Sequence, residues 1–222
     1  MQTIAAITPC ILQETSRGTQ ALSIDDAMLM KREIFLTGDV NAASAAALIK
    51  QLMYLEQADE NAPVTLYISS PGGSVTDGMA VYDYIRLMKA PVNTVCIGMA
   101  ASMGSILFMA GEERAMLPHT RVMIHDPSYG GGSIAGQKPL ELQDRVNELM
   151  TLRKMLADVI VERTGMPRKR VLSLTKKDTY FNARKALKAG IATKILGDLH
   201  PASPETFEID DDDIVLDAPP FD

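Results

Sequence analysis

Two stretches of this chain, Val64-Thr65-Leu66-Tyr67-Ile68 and Val92-Asn93-Thr94-Val95-Cys96-Ile97, are short, mostly apolar runs that read as buried strands. A strand with one wet face alternates with period two, so runs of this kind ask for cover on both faces, as in a parallel sheet with helices above and below. A parallel pair cannot be closed by a tight hairpin and needs a long crossover. Residues 76–89, read as a helix, supply one. Strands alternating with helices in this way point to an α/β fold.

The rest of the chain extends the same alternation. Ser23 caps a short helix over 27–30, Glu33-Ile34-Phe35-Leu36 reads as a strand, and Asn41 caps an amphipathic helix over 42–59. Its apolar positions are Ala46, Leu48, Ile49, Leu52, Met53 and Leu55. Further strands are expected at 121–124 and 191–196, and helices at 140–164, 167–174 and 183–188; Gly165 ends the long helix. Residues 1–23 show no periodicity and read as an irregular arm. Residues 200–222 hold the acidic run 210–213 and Pro219-Pro220, and read as disordered.

Composition matters mainly for what it rules out. A net charge of −6 with no basic run interleaved with aromatics argues against a nucleic-acid surface. Apolar runs are broken well short of a membrane span, and the first nine residues lack the pattern of a secretory signal. Cys10 and Cys96 lack metal-site spacing, so no metal is expected, and reduced thiols in a cytoplasmic protein are the default.

Four features carry possible chemistry. Ser102 sits in Gly98-Met99-Ala100-Ala101-Ser102-Met103-Gly104, small-residue-rich and placed between a strand and an apolar helix. Taken alone it suits either a tight structural turn or a presented nucleophile. Ser70-Pro71-Gly72-Gly73 closes a strand; it is either an ordinary turn or one that aims N–H groups at an anion or an extended peptide. His125 ends the strand at 121–124, where it is either a hydrogen-bonded structural residue or a base. Asp178, between Lys176-Lys177 and Tyr180-Phe181, is either a cap or surface ion-pair partner, or a carboxylate with a task. Together they complete one another. A serine hydroxyl needs an imidazole to take its proton, the imidazole needs a carboxylate to hold its tautomer, and N–H groups at Gly73 and Met103 could hold the oxyanion. His119 and His200 read as exposed loop residues.

These residues, in this order, resemble the Clp protease proteolytic subunits (ClpP), serine peptidases of the crotonase-like superfamily. The likeness covers residues 11–196 through Glu14-Thr15-Ser16-Arg17-Gly18, Ile34-Phe35-Leu36-Thr37-Gly38, Tyr67-Ile68-Ser69-Ser70-Pro71-Gly72-Gly73, Ala100-Ala101-Ser102-Met103-Gly104 and Arg121-Val122-Met123-Ile124-His125. It implies a superhelix of ββα units with a protruding handle of long helix plus strand. The implied division is an amino-terminal arm at 1–22 forming an axial loop, a peptidase domain at 23–197 with the handle at about 126–165, and an acidic tail at 198–222 without a family counterpart. Ser102 is then the nucleophile, His125 the base, Asp178 the orienting acid, and Gly73 and Met103 the oxyanion donors. A substrate strand would lie between Gly72-Gly73 and the segment with Gly130, Gly131 and Gly132.

The resemblance further implies two stacked seven-membered rings enclosing a chamber. A partner AAA+ unfoldase of the ClpX, ClpA or ClpC type would feed unfolded proteins into it. ATP would be used by that partner, with no cofactor in this chain. Lys176 and Lys177 stand where many relatives hold an acidic–basic pair joining the rings. Thr65 stands where an aromatic is usual at the unfoldase-docking pocket, whereas Tyr67 is kept. Three other readings compete: a ClpP-related viral head-maturation peptidase, a regulatory ring subunit with little activity, and a crotonase-type acyl-CoA enzyme.

Overall fold

The computed structural model describes residues 10–15, 18–129, 136 and 138–197. Within them the order is β1 (Cys10–Thr15), β2 (Gly18–Ser23), α1 (Ile24–Met30), β3 (Glu33–Thr37), α2 (Ala42–Ala58), β4 (Val64–Ser70), α3 (Val75–Leu87), β5 (Val92–Ala101), α4 (Met103–Ala110), β6 (Arg114–Met116), β7 (Arg121–Ile124), α5 (Pro139–Thr164), α6 (Arg168–Leu174), β8 (Thr179–Asn182), α7 (Ala183–Lys188) and β9 (Lys194–Ile195).

Four of the seven helices among the described residues begin where a short polar side chain takes up N–H groups left over in the first turn. Ser23 Oγ accepts from the Asp26 N–H, Asn41 Oδ1 from those of Ala43 and Ser44, Ser74 Oγ from Asp77, and Asn182 Oδ1 from Lys185. Each such cap is worth about 0.5–2 kcal/mol. On α2 the buried stripe is Ala45, Leu48, Leu52 and Leu55; Ala46 and Met53 of the expected face are exposed.

β3, β4 and β5 are parallel neighbours, the arrangement expected for their apolar runs. β5 is the strand on which the sheet divides. Thr94, Val95 and Cys96 pair in parallel with β6, which passes on to β9, whereas Met99, Ala100 and Ala101 pair in parallel with β7, which passes on to an antiparallel β8. Behind this fork lies α4, every residue of which is buried. Its Leu107, Phe108 and Met109 share one core with Leu66, Ile68, Ile124 and Phe181, each at most 1% exposed. Burying a side chain of this size stabilises the fold by about 1.5–3 kcal/mol.

The carboxyl end of α4 is held by arginines. Arg114 donates to the carbonyls of Gly111, Arg163, Gly190 and Ile191, and Arg163 to those of Met109 and Gly111. Two guanidinium groups thus gather carbonyls near the ends of α4, α5 and α7, where partial negative charge accumulates. Burial, with Arg163 and Arg86 nearby, holds Arg114 below the usual guanidinium range.

Several expectations need correction. Part of the segment read as an irregular arm forms a hairpin, with β1 and β2 antiparallel from Cys10↔Ser23 to Thr15↔Gly18. Leu12 is 70% exposed, so no buried face imposes an alternation that could be read. The small residues before Ser102 are strand, not turn, because β7 pairs with them. The short β6 and β8 were not anticipated, and the last strand covers only Lys194–Ile195. His119 is exposed and Cys96 buried, as expected. Gly130, Gly131, Gly132, His200 and the tail at 198–222 lie outside the described residues.

Candidate active site

The sheet register does most of the assembly. Ala101 pairs with Met123 on the parallel strand beside it, and the Ser102 N–H donates to the Met123 carbonyl at 2.9 Å. Ser102 is therefore level with the end of β7, one residue short of His125. Across β7 the partner is antiparallel, with Ile124 opposite Thr179. One step beyond that pair, His125 faces Asp178.

The side chains meet accordingly. His125 Nε2 lies 2.7 Å from Ser102 Oγ, and His125 Nδ1 lies 3.2 Å from Asp178 Oδ1. A carboxylate accepts only, so the consistent assignment puts the proton on Nδ1 and leaves Nε2 to accept from the hydroxyl. The His125 side chain is one-quarter exposed and that of Asp178 57% exposed. In so wet a setting solvent screens the attraction between this carboxylate and the ring.

Ser102 itself has an unusual backbone. Its backbone has φ 51° and ψ −123°, and it is one of two non-glycine residues with positive φ among the described residues. Such a conformation costs about 1–3 kcal/mol and persists only where neighbours enforce it. A serine before a helix normally turns its oxygen onto the next N–H groups; this one makes no such cap, and its hydroxyl is spent on His125. Its carbonyl accepts from both the N–H and the hydroxyl of Ser105, at 2.9 and 2.6 Å.

Gly72 closes the other side. It carries φ 100°, and a Cβ built on it would lie 2.6 Å from Ser102 Cβ and 2.9 Å from Met103 N. Only a residue without a side chain fits here. Ser70, 1% exposed, accepts from the Gly72 N–H at 3.1 Å and so holds the turn. Gly73 bridges to Val40 through the groups on either side of it: the Val40 N–H donates to Gly72 O and the Ser74 N–H to Val40 O, both at 2.8 Å. In that parallel bridge the Gly73 N–H is directed away from Val40. The Met103 N–H opens α4 and has no carbonyl of its own helix to bond.

Beside Ser102 is a cavity whose apolar wall is Val75, Met103, Ile106, Ile124, Leu156 and Ile160. Residues so far apart in the chain give no sign in the sequence that they share a wall. A second unanticipated contact backs His125. Asp126, the next residue, accepts from Arg153 Nε of α5 at 2.6 Å, and its N–H donates to Thr175 O at 2.6 Å. This ties the end of β7 to α5 and to the loop that leads into Asp178.

Of the anticipated residues, Ser102, His125 and Asp178 come together, Gly72 and Met103 lie against them, and Gly73 follows Gly72. Lys176 and Lys177 are exposed. Among the described residues no group of three or more His, Cys, Asp or Glu is placed to hold a metal ion, and no helix is long and apolar enough to cross a membrane. Compared with known protein families, residues 16–198 match the family model described as Clp protease.

Proposed function

The chain belongs to the Clp protease family, and on that premise we propose that it is the proteolytic subunit of an ATP-dependent Clp protease, a serine endopeptidase acting through an acyl-enzyme. The observation that carries the reading is the series Asp178–His125–Ser102, with an ion-pair contact of 3.2 Å and a hydrogen bond of 2.7 Å.

In this reading His125 Nε2 takes the Ser102 proton as Oγ attacks the scissile carbonyl. Asp178, on Nδ1, stabilises the imidazolium that forms. The oxyanion turns to the N–H groups of Gly73 and Met103, the latter at the positive end of α4; one such donor is typically worth about 10²–10³ in rate. His125 then protonates the leaving amine, and water drawn by the same imidazole releases the acyl group. No step calls for a cofactor in this chain.

The substrate would lie as an extended strand along Gly72-Gly73, with the segment carrying Gly130, Gly131 and Gly132 on its other side. Main-chain pairing of this kind does not read side chains, whereas the apolar cavity beside Ser102 favours an apolar residue on the acyl side of the cut bond. The protein would work in the cytoplasm as two stacked heptameric rings fed with unfolded chains by an AAA+ unfoldase. The stacked pair Phe35 and Tyr67, 4.9 Å apart with Phe35 40% exposed, is a candidate part of the docking surface.

Ser102→Ala supplies the test. The purified wild type should hydrolyse small fluorogenic peptides, react with a fluorophosphonate at Ser102 and run as a large particle, while the variant keeps its size and loses both reactions. Peptide hydrolysis by Ser102→Ala would overturn the assignment, and a small, fully active monomer would overturn the chamber.

A further inference from the structure

Charge along this chain is sharply divided. From residue 165 to residue 197 there are nine lysines and arginines and one acidic residue, Asp178; from 198 to 222 there are nine aspartates and glutamates and no lysine or arginine. The chain as a whole is acidic, at −6, so the basic block is a local feature rather than a reflection of composition.

The block is on the surface. Lys169 and Arg170 on α6 are exposed, as are Lys176 and Lys177 in the loop before β8. On α7, Arg184, Leu187 and Lys188 are exposed together, and their spacing of three and four places them on one helix face. That face is mixed: two cations flank a leucine that is 41% exposed. The acidic segment has the matching order, with Asp210-Asp211-Asp212-Asp213 followed by Ile214-Val215-Leu216 and then Asp217.

We propose that residues 198–222 fold back onto this basic surface of their own chain, with the Arg184–Leu187–Lys188 face of α7 at its centre. The carboxylates of 210–213 meet the cations, and Ile214-Val215-Leu216 covers Leu187. Connectivity favours the chain's own segment over any other acidic partner. The described body ends at Gly197, just past β9 and nine residues beyond Lys188. The thirteen residues from there to Asp210 reach as far as roughly 40 Å when extended, ample to double back along a helix of six residues about 9 Å long. A tether of this length holds the segment at an effective concentration on the order of millimolar, so contacts weak one by one suffice together. Because they are exposed, they weaken with salt. This proposal is independent of the peptidase reading.

Zero-length carbodiimide coupling of the full chain, mapped by mass spectrometry, tests it. The assembly is made from an equal mixture of isotope-labelled and unlabelled chains. Coupling is run at about 0.1 M and about 1 M salt, between which the screening length falls from roughly 10 Å to roughly 3 Å. The expected result is coupling of Glu205 to Asp217 carboxylates with Lys185, Lys188 and the lysines of α6 and its following loop. The links should join chains of like label and fall several-fold at high salt. Replacing Asp210 to Asp213 by asparagine should abolish them and raise amide exchange in α7. Links spread equally over Lys31, Lys50 and Lys89, or an absence of links, would overturn the proposal. Links between unlike labels would overturn its same-chain form and assign the surface to the tail of a neighbouring copy.

Discussion

Replacing Gly72 with alanine separates two costs that usually arrive together. A side chain at φ 100° strains the backbone, and the new methyl must also share space with Ser102 Cβ at 2.6 Å, the Ala101 carbonyl oxygen at 2.7 Å and Met103 N at 2.9 Å. The strain is worth about 1–3 kcal/mol, and overpacking against atoms that cannot swing aside about 1–3 kcal/mol more. Gly38 provides the control. Its φ is 89°, with nothing within 4 Å of an added Cβ, so Gly38→Ala carries the first cost alone. For a chain of this size each kcal/mol moves Tm by about 2–4 °C. Gly72→Ala should therefore unfold several degrees below Gly38→Ala, which itself falls below wild type. The catalytic consequence differs more sharply. The atoms that must give way are the proposed nucleophile's elbow and a proposed oxyanion N–H, and a misplacement of about 1 Å at such a site costs on the order of 10²-fold. kcat/KM for a fluorogenic peptide should drop about 10²-fold or more in Gly72→Ala and only marginally in Gly38→Ala. Thermal unfolding and steady-state kinetics on the two variants side by side decide the matter. Equal losses of stability, with wild-type turnover in Gly72→Ala, would show that the turn does not press on Ser102 and would refute the reasoning.

Three further outcomes are expected. Ser70→Ala should lower kcat about tenfold with little change in KM, because the buried Gly72 N–H loses its acceptor and the Gly72-Gly73 turn, proposed to hold the oxyanion, loses its brace; a rise in KM alone would contradict this. Tyr82 is 5% exposed, its hydroxyl has no partner among the described residues, and burial, then the charge of Glu162, push its pKa up. Tyr82→Phe should therefore leave stability unchanged or raise it by up to about 1 kcal/mol, and a clear loss in calorimetry would mean that the hydroxyl is bonded. Burial also pushes the Cys96 thiol up, keeping it protonated at neutral pH, whereas Cys10 is exposed. A thiol reagent should accordingly titrate one group quickly and the second only on unfolding; two fast groups would place Cys96 at the surface.

Much of the fold could be read ahead of the structure because its strongest signals are local. The apolar runs that became β4 and the first half of β5, the Asn41 cap of α2 and the glycine after α5 each act within a few residues, where periodicity and capping chemistry leave a legible trace. β1, β2, β6 and β8 left none. The first two are largely exposed and the others only three and four residues long, so pairing partners far away in the chain define them. On α2 the expected stripe holds at Leu48, Ile49, Leu52 and Leu55 and fails at Ala46 and Met53 for a related reason: alanine and methionine fit either side of a helix, and only the neighbours decide which side is inside.

The sequence by itself determined an α/β chain and a short set of residues with the chemistry to work together: a serine among small neighbours, a histidine at a strand end, an aspartate after two lysines and a glycine turn. What it left open was whether they meet. The tertiary structure decided that through long-range register. A parallel neighbour brings Ser102 beside the end of β7, and an antiparallel one sets Asp178 opposite His125, fifty-three residues away in the chain. The strained backbone of Ser102, the fork in β5 and the cavity wall drawn from α3, α4, β7 and α5 belong to the same level. They arise from packing among distant segments, and no window of neighbouring residues encodes such packing.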